Sequence, residues 1–203
     1  VKNVKPIDIV LVVDMSGSME RDRATATREG VKQFLQAIKD DGKAQYVNVG
    51  LVGFSSSGNT NVNSNTYSAT GSDGYLSVDM KSLAASGQID TINQKLSPKF
   101  GGGTFTQLGI RKGNEMLQRD VSGNQKMMIL LTDGVPTFSY RVTKASIIDG
   151  TVYGTDFSDT DQDQPGSTSQ LTRGSFDSWS SYTSGSDPNA ASLQARNFGR
   201  YYN

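Results

Sequence analysis

The sequence predicts an α/β fold in which helices flank a mostly parallel sheet. Three aliphatic runs of strand length alternate with segments whose apolar residues recur at helical spacing. Continuous aliphatic runs are typical of parallel strands that are covered on both faces. Their alternation with helices is the pattern of an α/β domain. A chain of 203 residues is long enough for one domain with a sizeable core.

The first part of the chain supplies two strands and a helix. Residues 7–13, IDIVLVV, are the first predicted strand, and residues 46–54, YVNVGLVGF, are the second. Glycines in the second strand indicate close approach of a neighbouring element. Between the two strands, apolar residues at i, i+3, i+4 and i+7 predict a helix whose stripe faces the sheet. The residues of this stripe are Val31, Phe34, Leu35 and Ile38.

A polar loop, an edge strand and a short helix are predicted next. Residues 55–74 are rich in Ser, Asn, Thr and Gly and are predicted as loop, and residues 75–79 as a short edge strand. Apolar residues at helical spacing then predict a helix that Pro98 ends. These apolar residues are Ile89, Ile92 and Leu96.

A glycine loop and a third strand complete the alternation. Residues 101–117, GGGTFTQLGIRKGNEML, are predicted as a loop that opens into a helix. Either Thr104 or Thr106 would cap that helix, because a threonine hydroxyl can accept a hydrogen bond from a free backbone N–H group. Residues 126–134, KMMILLTDG, are predicted as a third buried strand that ends in a carboxylate.

Beyond Phe138 the composition changes to Ser, Gly, Asp and Thr with interspersed aromatic residues. Residues 146–154 predict a small hairpin around Asp149 and Gly150, a turn-forming pair. Residues 186–198 predict a helix with Asp187 as its cap. No further long aliphatic strand follows the third one.

The composition excludes several kinds of partner and site. Lys plus Arg and Asp plus Glu number 20 each, so neither nucleic acid nor an anionic membrane is expected as a partner. No apolar run approaches the ~20 residues of a membrane span, so no membrane insertion is expected in this segment. Cysteine and histidine are absent, which excludes disulfides, zinc sites built on those residues and nucleophile–histidine pairs. Any metal must be held by oxygen, which indicates Mg²⁺, Mn²⁺ or Ca²⁺.

Oxygen-bearing side chains stand at the ends of the predicted strands. Asp14, Ser16 and Ser18 follow the first strand, Thr104 lies in the glycine loop, and Asp133 ends the third strand. The carboxyl ends of parallel strands share one edge of the sheet, so these side chains could converge there. Two carboxylates, three hydroxyls and water could form an octahedral shell around a cation. Each motif alone is also typical of a cap or a turn, but their occurrence in three separate loops favours a metal site.

The motifs DMSGS, GGGTFTQLGIRKG and LLTDG resemble the three elements of the metal-ion-dependent adhesion site in von Willebrand factor A domains. This fold is shared with integrin inserted domains. The resemblance covers about residues 7–137 and implies a Rossmann-like, doubly wound sheet. It implies that Ser16, Ser18 and Thr104 touch the metal directly, with Asp14 and Asp133 acting through water. The resident ion would be Mg²⁺ or Mn²⁺, and Ca²⁺ could take its place in a crystal.

The chain departs from this family after the TDG motif, where further strand and helix pairs normally follow. Residues 139–186 are predicted as a long, loop-rich insertion within a single domain at 1–203, which is either a fragment or finishes beyond Asn203. Such insertions are similar to those in the A domains of Gram-positive pilus tip adhesins. This likeness implies a secreted or cell-surface protein in the cell wall or a pilus, with flanking pilus or surface-protein domains.

The expected function is adhesion without catalysis. A hard cation that keeps exchangeable water can accept a Glu or Asp from a partner, which we expect to be a host extracellular-matrix protein or receptor. Neighbouring loops would choose that partner, through residues 55–74 and an aromatic rim, since aromatic residues are frequent interface anchors. The rim residues are Phe157, Phe176, Trp179 and Tyr182. These aromatic residues could instead pack under their own loop.

Rival functions fit the motifs less well. An intracellular adaptor of an AAA-type ATPase would have the same metal site. A metal-dependent phosphohydrolase of the aspartyl-phosphate type needs a second acid where Ser16 stands. A serine hydrolase needs glycines two residues on either side of its nucleophile, and a histidine base. A phosphate-binding loop needs a lysine that GGGTFT lacks.

A calcium loop at residues 159–166, DTDQDQPG, is a further alternative. Aspartates stand at alternate positions, as in an EF-hand loop. Gln164 stands where that pattern needs Gly, and Gln170 stands where it needs Glu. A solvated acidic loop is therefore the favoured interpretation.

Overall fold

A computed structural model describes residues 5–55, 75–98, 100–133, 139–148 and 151–163. The strands of its larger sheet are β1 (Ile7–Asp14), β2 (Val47–Phe54), β3 (Tyr75–Ser82) and β4 (Gln125–Leu131). The helices are α1 (Asp22–Asp40), α2 (Gln88–Lys95) and α3 (Thr106–Arg119). Short 3₁₀ turns at Gly17–Met19 and Ala44–Tyr46 precede α1 and β2. These positions agree with the predicted α/β alternation.

The four strands lie in the order β3-β2-β1-β4. β1 pairs in parallel with β2 and with β4, and β3 is an antiparallel edge strand. The predicted mostly parallel sheet is therefore confirmed. Asp14 is paired with Phe54, and Val13 with Leu131, so the carboxyl ends of three strands meet at one edge of the sheet.

β1 is buried on both faces because a helical layer covers each side. On one face Leu11 and Val13 belong to a cluster that includes Val31 and Leu35 of α1. On the other face the cluster contains Val10 and Val12 of β1 with Met116 and Leu117 of α3. Alternate residues of a strand point to opposite faces, so a continuous aliphatic strand at the centre serves both clusters.

The predicted stripe of α1 is correct for three of its four residues. Val31 and Leu35 are buried, and Ile38 packs partly against the same cluster. Phe34 is 37% exposed, so its assignment to the buried stripe is wrong. It lies about 100° around the helix from Leu35, at the margin of the contact with the sheet.

The glycines of β2 lie where neighbouring side chains approach closely, as the sequence predicts. A Cβ atom on Gly50 would lie 2.4 Å from Met116 Sδ, and one on Gly53 would lie 2.6 Å from Met15 Sδ. Helix α3 contributes a matching close contact, because a Cβ atom on Gly109 would lie 2.4 Å from Phe54 Cδ1. Glycine at these positions lets α3 and the loop after β1 pack directly on the sheet.

β4 has the predicted position but not the predicted burial. Its side chains are half-buried or exposed, with Met127 at 42% and Leu130 at 36% exposure. Among the described strands β4 pairs with β1 alone. Within the described residues, no strand pairs with its other edge. An aliphatic sequence predicts a strand, whereas burial also depends on the neighbours that tertiary structure supplies.

A second, two-stranded sheet consists of β5 (Ser139–Ile148) and β6 (Thr151–Asp163). Ile148 pairs with Thr151, and the predicted turn residues between them, Asp149 and Gly150, lie outside the described residues. The hairpin is confirmed and is longer than predicted.

The acidic loop predicted at residues 159–166 is wrong for residues 159–163, which belong to β6. The interpretation of residues 56–74 as loop and the helix predicted at 186–198 lie outside the described residues. None of the described helices is both long enough and apolar enough to cross a membrane.

Candidate metal centre

Three loops are tied together at the carboxyl edge of the sheet by main-chain hydrogen bonds. Gly17 N donates to Gly102 O at 2.9 Å, and Gly101 N donates to Met15 O at 2.8 Å. Phe105 N donates to Ser55 O at 2.8 Å, which adds the end of β2. A Cβ atom on Gly17 would lie 3.2 Å from Gly102 O, so glycine between the two serines lets the loops approach this closely.

Asp14 is the buried centre of a side-chain network at this edge. Its Oδ1 accepts a 2.9 Å hydrogen bond from Ser16 N, and its Oδ2 accepts a 2.7 Å bond from Thr132 Oγ1. Asp14 and Ser16 are both fully buried. The carboxylate is therefore fixed from its own loop and from the residue that follows β4.

The same network reaches Asp133 through the two serines. Ser16 Oγ and Ser18 Oγ are 3.0 Å apart, and Ser18 Oγ donates to Asp133 Oδ1 at 2.8 Å. The structure thus joins four of the five sequence-predicted residues into one hydrogen-bonded set: Asp14, Ser16, Ser18 and Asp133.

Thr104, the fifth predicted residue, is 4% exposed and lies in the loop that binds Gly17 and Met15. The carbonyl of the preceding residue, Gly103, accepts a 3.2 Å hydrogen bond from Ser55 Oγ. These bonds place the backbone beside Thr104 at the same edge of the sheet as Asp14.

Neither predicted threonine occupies the N-cap position of α3. The N-cap residue of α3 is Phe105, with no side-chain capping bond. Thr106 is the first helical residue, and its fully buried Oγ1 has no hydrogen-bond partner. The prediction of Thr104 or Thr106 as the N-cap residue is therefore wrong, because Phe105 stands at that position.

The capping alternative for the first motif also fails. The N-cap residue of α1 is Arg21, which makes no side-chain capping bond. Asp14, Ser16 and Ser18 all precede it and bond to one another or to the end of β4. Their hydroxyl and carboxylate groups are directed to the sheet edge and not to the start of the helix.

Two residues of the network were not identified from the sequence. Thr132 fixes Asp14, and its only signal is a hydroxyl directly before Asp133 in the TDG motif. Arg23 Nη1 donates to Asp133 Oδ2 and, at 2.9 Å, to Ser18 O. Arg23 is one of several charged residues in its segment, and no local pattern distinguishes it.

The electrostatics of the centre favour a gain of positive charge. Burial raises the pKa of Asp14, hydrogen bonds from Ser16 and Thr132 offset part of this rise, and the negative charge of Asp133 adds to it. A proton or a metal cation would relieve the same buried charge. Within the described ranges no cluster of three or more His, Cys, Asp or Glu could hold a metal, so hydroxyl oxygens must complete any shell here.

The donor set present fits a hard cation. Carboxylate and hydroxyl oxygens are the ligands that Mg²⁺, Mn²⁺ and Ca²⁺ prefer, and the network brings both kinds within hydrogen-bonding distance. The residues that could hold the ion are Asp14, Ser16, Ser18, Thr104 and Asp133. Of the predicted aromatic rim, Phe157 lies in β6, and Phe176, Trp179 and Tyr182 lie outside the described residues.

An open pocket of about 540 Å³ lies between the start of α1 and the segment that precedes the glycine loop. Arg28 supports this segment by donating to Leu96 O at 2.7 Å and to Pro98 O at 2.8 Å. Its guanidinium also lies 4.8 Å from the centroid of the Phe100 ring. The pocket is lined by Glu20, Arg21, Asp22, Ala24, Thr25, Arg28, Ser97 and Phe100.

Known proteins share this architecture. The family model of the von Willebrand factor type A domain matches residues 8–164. Two crystal structures of the pilus adhesin SpaC from Lactobacillus rhamnosus GG are similar to the chain, at 52% and 53% sequence identity, both with a TM-score of 0.70. Each match covers 84% of this chain and 20% of the SpaC chain.

More distant structures are similar in fold alone. The type V pili tip protein Mfa5 from Porphyromonas gingivalis is 20% identical, with a TM-score of 0.53, over 70% of this chain and 22% of that chain. The adhesive tip pilin GBS104 from Group B Streptococcus agalactiae is 21% identical, with a TM-score of 0.51, over 72% of this chain and 50% of that chain. A search of curated proteins found no match.

Proposed function

Because the chain belongs to the von Willebrand factor type A domain family, we propose that it is a metal-dependent adhesion domain. The observation that carries this proposal is the 2.8 Å bond between Ser18 Oγ and Asp133 Oδ1. It joins the loop after β1 to the end of β4 and so brings together the oxygens that a cation needs. The similarity to SpaC, a pilus adhesin, supports the adhesion role.

Asp14, Ser16, Ser18, Thr104 and Asp133 would hold Mg²⁺ or Mn²⁺. When bound, the ion supplies a positive centre that can accept a carboxylate oxygen in place of water. The chain's own residues prepare that centre: Ser16 N and Thr132 Oγ1 orient the buried carboxylate of Asp14, and Ser18 Oγ orients Asp133. Fixed ligands reduce the ordering cost of binding the cation and a partner.

The partner would be a protein that presents a Glu or Asp side chain, in the extracellular matrix or on a host receptor. The domain would act at the cell surface or in a pilus, next to further domains of its parent protein. The similarity to SpaC favours this location over an intracellular adaptor role. The aromatic residues predicted as the rim would contribute partner contacts around the metal.

Binding fits the centre better than catalysis. The chain has no histidine to serve as a base, and Ser16 is fully buried, so an incoming substrate could not reach its hydroxyl. Asp14 is also buried and holds two hydrogen bonds, which suits a positioned ligand better than a nucleophile. These features support an adhesive, non-enzymatic role.

The test is binding of the 203-residue chain to immobilised collagen, fibronectin and other matrix proteins, with and without EDTA. We expect at least one matrix protein to be bound in Mg²⁺, and EDTA or Asp14→Ala to abolish that binding. Asp90→Ala, which removes an exposed carboxylate from α2, is the matched control and should bind normally. Equal binding by all three proteins in EDTA would contradict metal-dependent adhesion.

A further inference from the structure

Arg23 holds one carboxylate of the candidate metal centre from the solvent side. It is the second residue of α1, and its Nη1 donates to Asp133 Oδ2 and to Ser18 O. The other oxygen of the same carboxylate, Asp133 Oδ1, accepts from Ser18 Oγ at 2.8 Å. The guanidinium therefore contacts the carboxylate of Asp133, which is one of the residues proposed to hold the cation.

The charge of the centre depends on this residue. Asp14 and Asp133 contribute two negative charges to the network, and Arg23 contributes one positive charge. With Arg23 in place the network carries about −1, and it would carry about +1 with a divalent cation bound. Without Arg23 the corresponding charges would be about −2 and 0.

We propose that Arg23 adjusts this centre for carboxylate binding. The charge of Arg23 weakens the binding of the divalent cation to the centre and strengthens the binding of the partner's carboxylate to the loaded centre. The proposal rests on the proposed function, because it concerns the same cation and partner. Repulsion between the guanidinium and the cation opposes cation binding, since both interact with Asp133. The remaining positive charge of the loaded centre then attracts an anion.

Because Arg23 is exposed, it can also contact the partner's carboxylate directly. Its side chain is 64% exposed, whereas that of Asp133 is 17% exposed. A guanidinium has five N–H donors in a planar fork, and the described bonds use Nη1. The solvent-facing part of the fork can therefore donate to a carboxylate that arrives at the neighbouring cation.

The size of both effects is limited by solvent. Exposed charge pairs contribute little because water and salt screen them. We expect loss of the Arg23 charge to strengthen cation binding about fivefold and to weaken carboxylate binding by about the same factor. The opposite signs are diagnostic, because a residue that only supported the fold would weaken both steps when changed.

The experiment compares Mn²⁺ affinity by isothermal titration calorimetry for four forms of the 203-residue chain. The variants are Arg23→Gln, Arg23→Lys and the matched control Arg21→Gln, which removes the same charge two residues earlier. Arg23→Gln should bind Mn²⁺ about fivefold more tightly, and the other two should match the wild type. Acetate is then titrated into each Mn²⁺-loaded protein, and displacement of metal-bound water is followed by proton relaxation. Arg23→Gln should need about fivefold more acetate.

Unchanged or weaker Mn²⁺ binding by Arg23→Gln, with the variant folded by circular dichroism, would overturn the inference. Equal strengthening in Arg21→Gln would also overturn it, because long-range charge would then explain the effect. If Arg23→Gln needed the same acetate concentration as the wild type to displace metal-bound water, the proposed role of Arg23 in carboxylate binding would be overturned. Absence of Mn²⁺ binding by the wild type would contradict the proposed function itself, so the two failures are distinguishable.

Discussion

Thr132 Oγ1 donates a 2.7 Å hydrogen bond to Asp14 Oδ2 across 118 positions of sequence. The bond connects the ends of two adjacent parallel strands, β1 and β4. A buried carboxylate oxygen that loses its donor keeps the full cost of its desolvation. The hydroxyl of Thr132 is therefore important to the candidate metal centre, although it is not one of its proposed ligands.

Replacement of that hydroxyl should weaken both the fold and the metal centre. Thr132→Val preserves the shape of the side chain but leaves Asp14 Oδ2 without this donor, so we expect a loss of about 1–3 kcal/mol in unfolding free energy. Urea denaturation in EDTA measures the loss, and Mn²⁺ titration should show weaker binding. Thr132→Ser retains the hydroxyl and should restore most of both properties. Equal behaviour of the Val and Ser variants would show that the hydrogen bond does not matter.

The raised pKa of Asp14 predicts the pH dependence of stability without metal. A carboxyl whose pKa is higher in the folded than in the unfolded state favours folding below the unfolded value of about 3.9. That contribution is lost as the pH rises through the folded value. In EDTA, Asp14→Asn should therefore gain stability relative to the wild type as the pH rises from 3 to 7. Its amide can still accept from Ser16 N and donate to Thr132 Oγ1.

Thermal unfolding at several pH values, with EDTA and with Mg²⁺, measures this difference. Mg²⁺ should raise the melting temperature of the wild type and leave that of Asp14→Asn unchanged. A constant difference between the two proteins across pH would rule out the predicted titration of Asp14.

Asp8 predicts the opposite pH dependence at the other end of β1. It is fully buried and accepts hydrogen bonds from Asn48 Nδ2 at 2.8 Å, Ser122 Oγ at 2.6 Å and Asn124 Nδ2 at 2.9 Å. Burial would raise its pKa, but the bonds from Ser122, Asn124 and Asn48 outweigh burial, and the charge of Lys126 adds to them, so the pKa is lowered. Its contribution is present above the unfolded value of about 3.9 and is lost as the pH falls through the folded value.

We therefore expect Asp8→Asn to cost about 3 kcal/mol at pH 7, because charge-assisted hydrogen bonds are lost. The cost should diminish at acidic pH. Asp8 and Asp14 are six residues apart on one strand, about 20 Å, so Mn²⁺ affinity should remain that of the wild type. A fall in Mn²⁺ affinity of the folded variant would contradict this separation of the two ends of β1.

The contact between α3 and β2 predicts contrasting effects of two alanine substitutions. Gly109→Ala would place its Cβ atom 2.4 Å from Phe54 Cδ1, and we expect a loss of about 1–3 kcal/mol from overpacking. Gly30→Ala in α1 has no atom within 4 Å of the new Cβ and should gain about 0.5–1 kcal/mol from helix propensity. Thermal unfolding of both variants tests the contrast. A shift of the two melting temperatures in the same direction would contradict it.

Local patterns in the sequence predict most of the larger sheet. β1, β2 and α1 follow from aliphatic runs and helical spacing, which neighbouring residues determine. The burial of β4 and the position of Phe34 were wrong because both depend on what packs against the element. Residues 159–163 were assigned to a loop from their acidic composition, although they belong to β6, where Gln162 and Asp163 pair with Tyr140 and Ser139 of β5.

In the candidate metal centre, too, local motifs are recognisable in the sequence and long-range contacts are not. Motif spacing identifies the oxygen donors Asp14, Ser16, Ser18 and Asp133, because each stands at a recognisable strand end. The pairing of Arg23 with Asp133 spans 110 residues, so it becomes visible only once the chain is folded. The metal itself, the roles of all five predicted residues as its ligands and the aromatic rim remain predictions.

The main-chain bonds between the loops at the sheet edge have an evolutionary consequence. Gly17 N, Gly101 N and Phe105 N make these contacts through main-chain amide protons, and at Gly17 the close approach of the loops also calls for glycine. Side chains at neighbouring surface positions can therefore diversify while the backbone frame persists. Proline at one of these donor positions would remove the amide proton and is the change that the frame tolerates least.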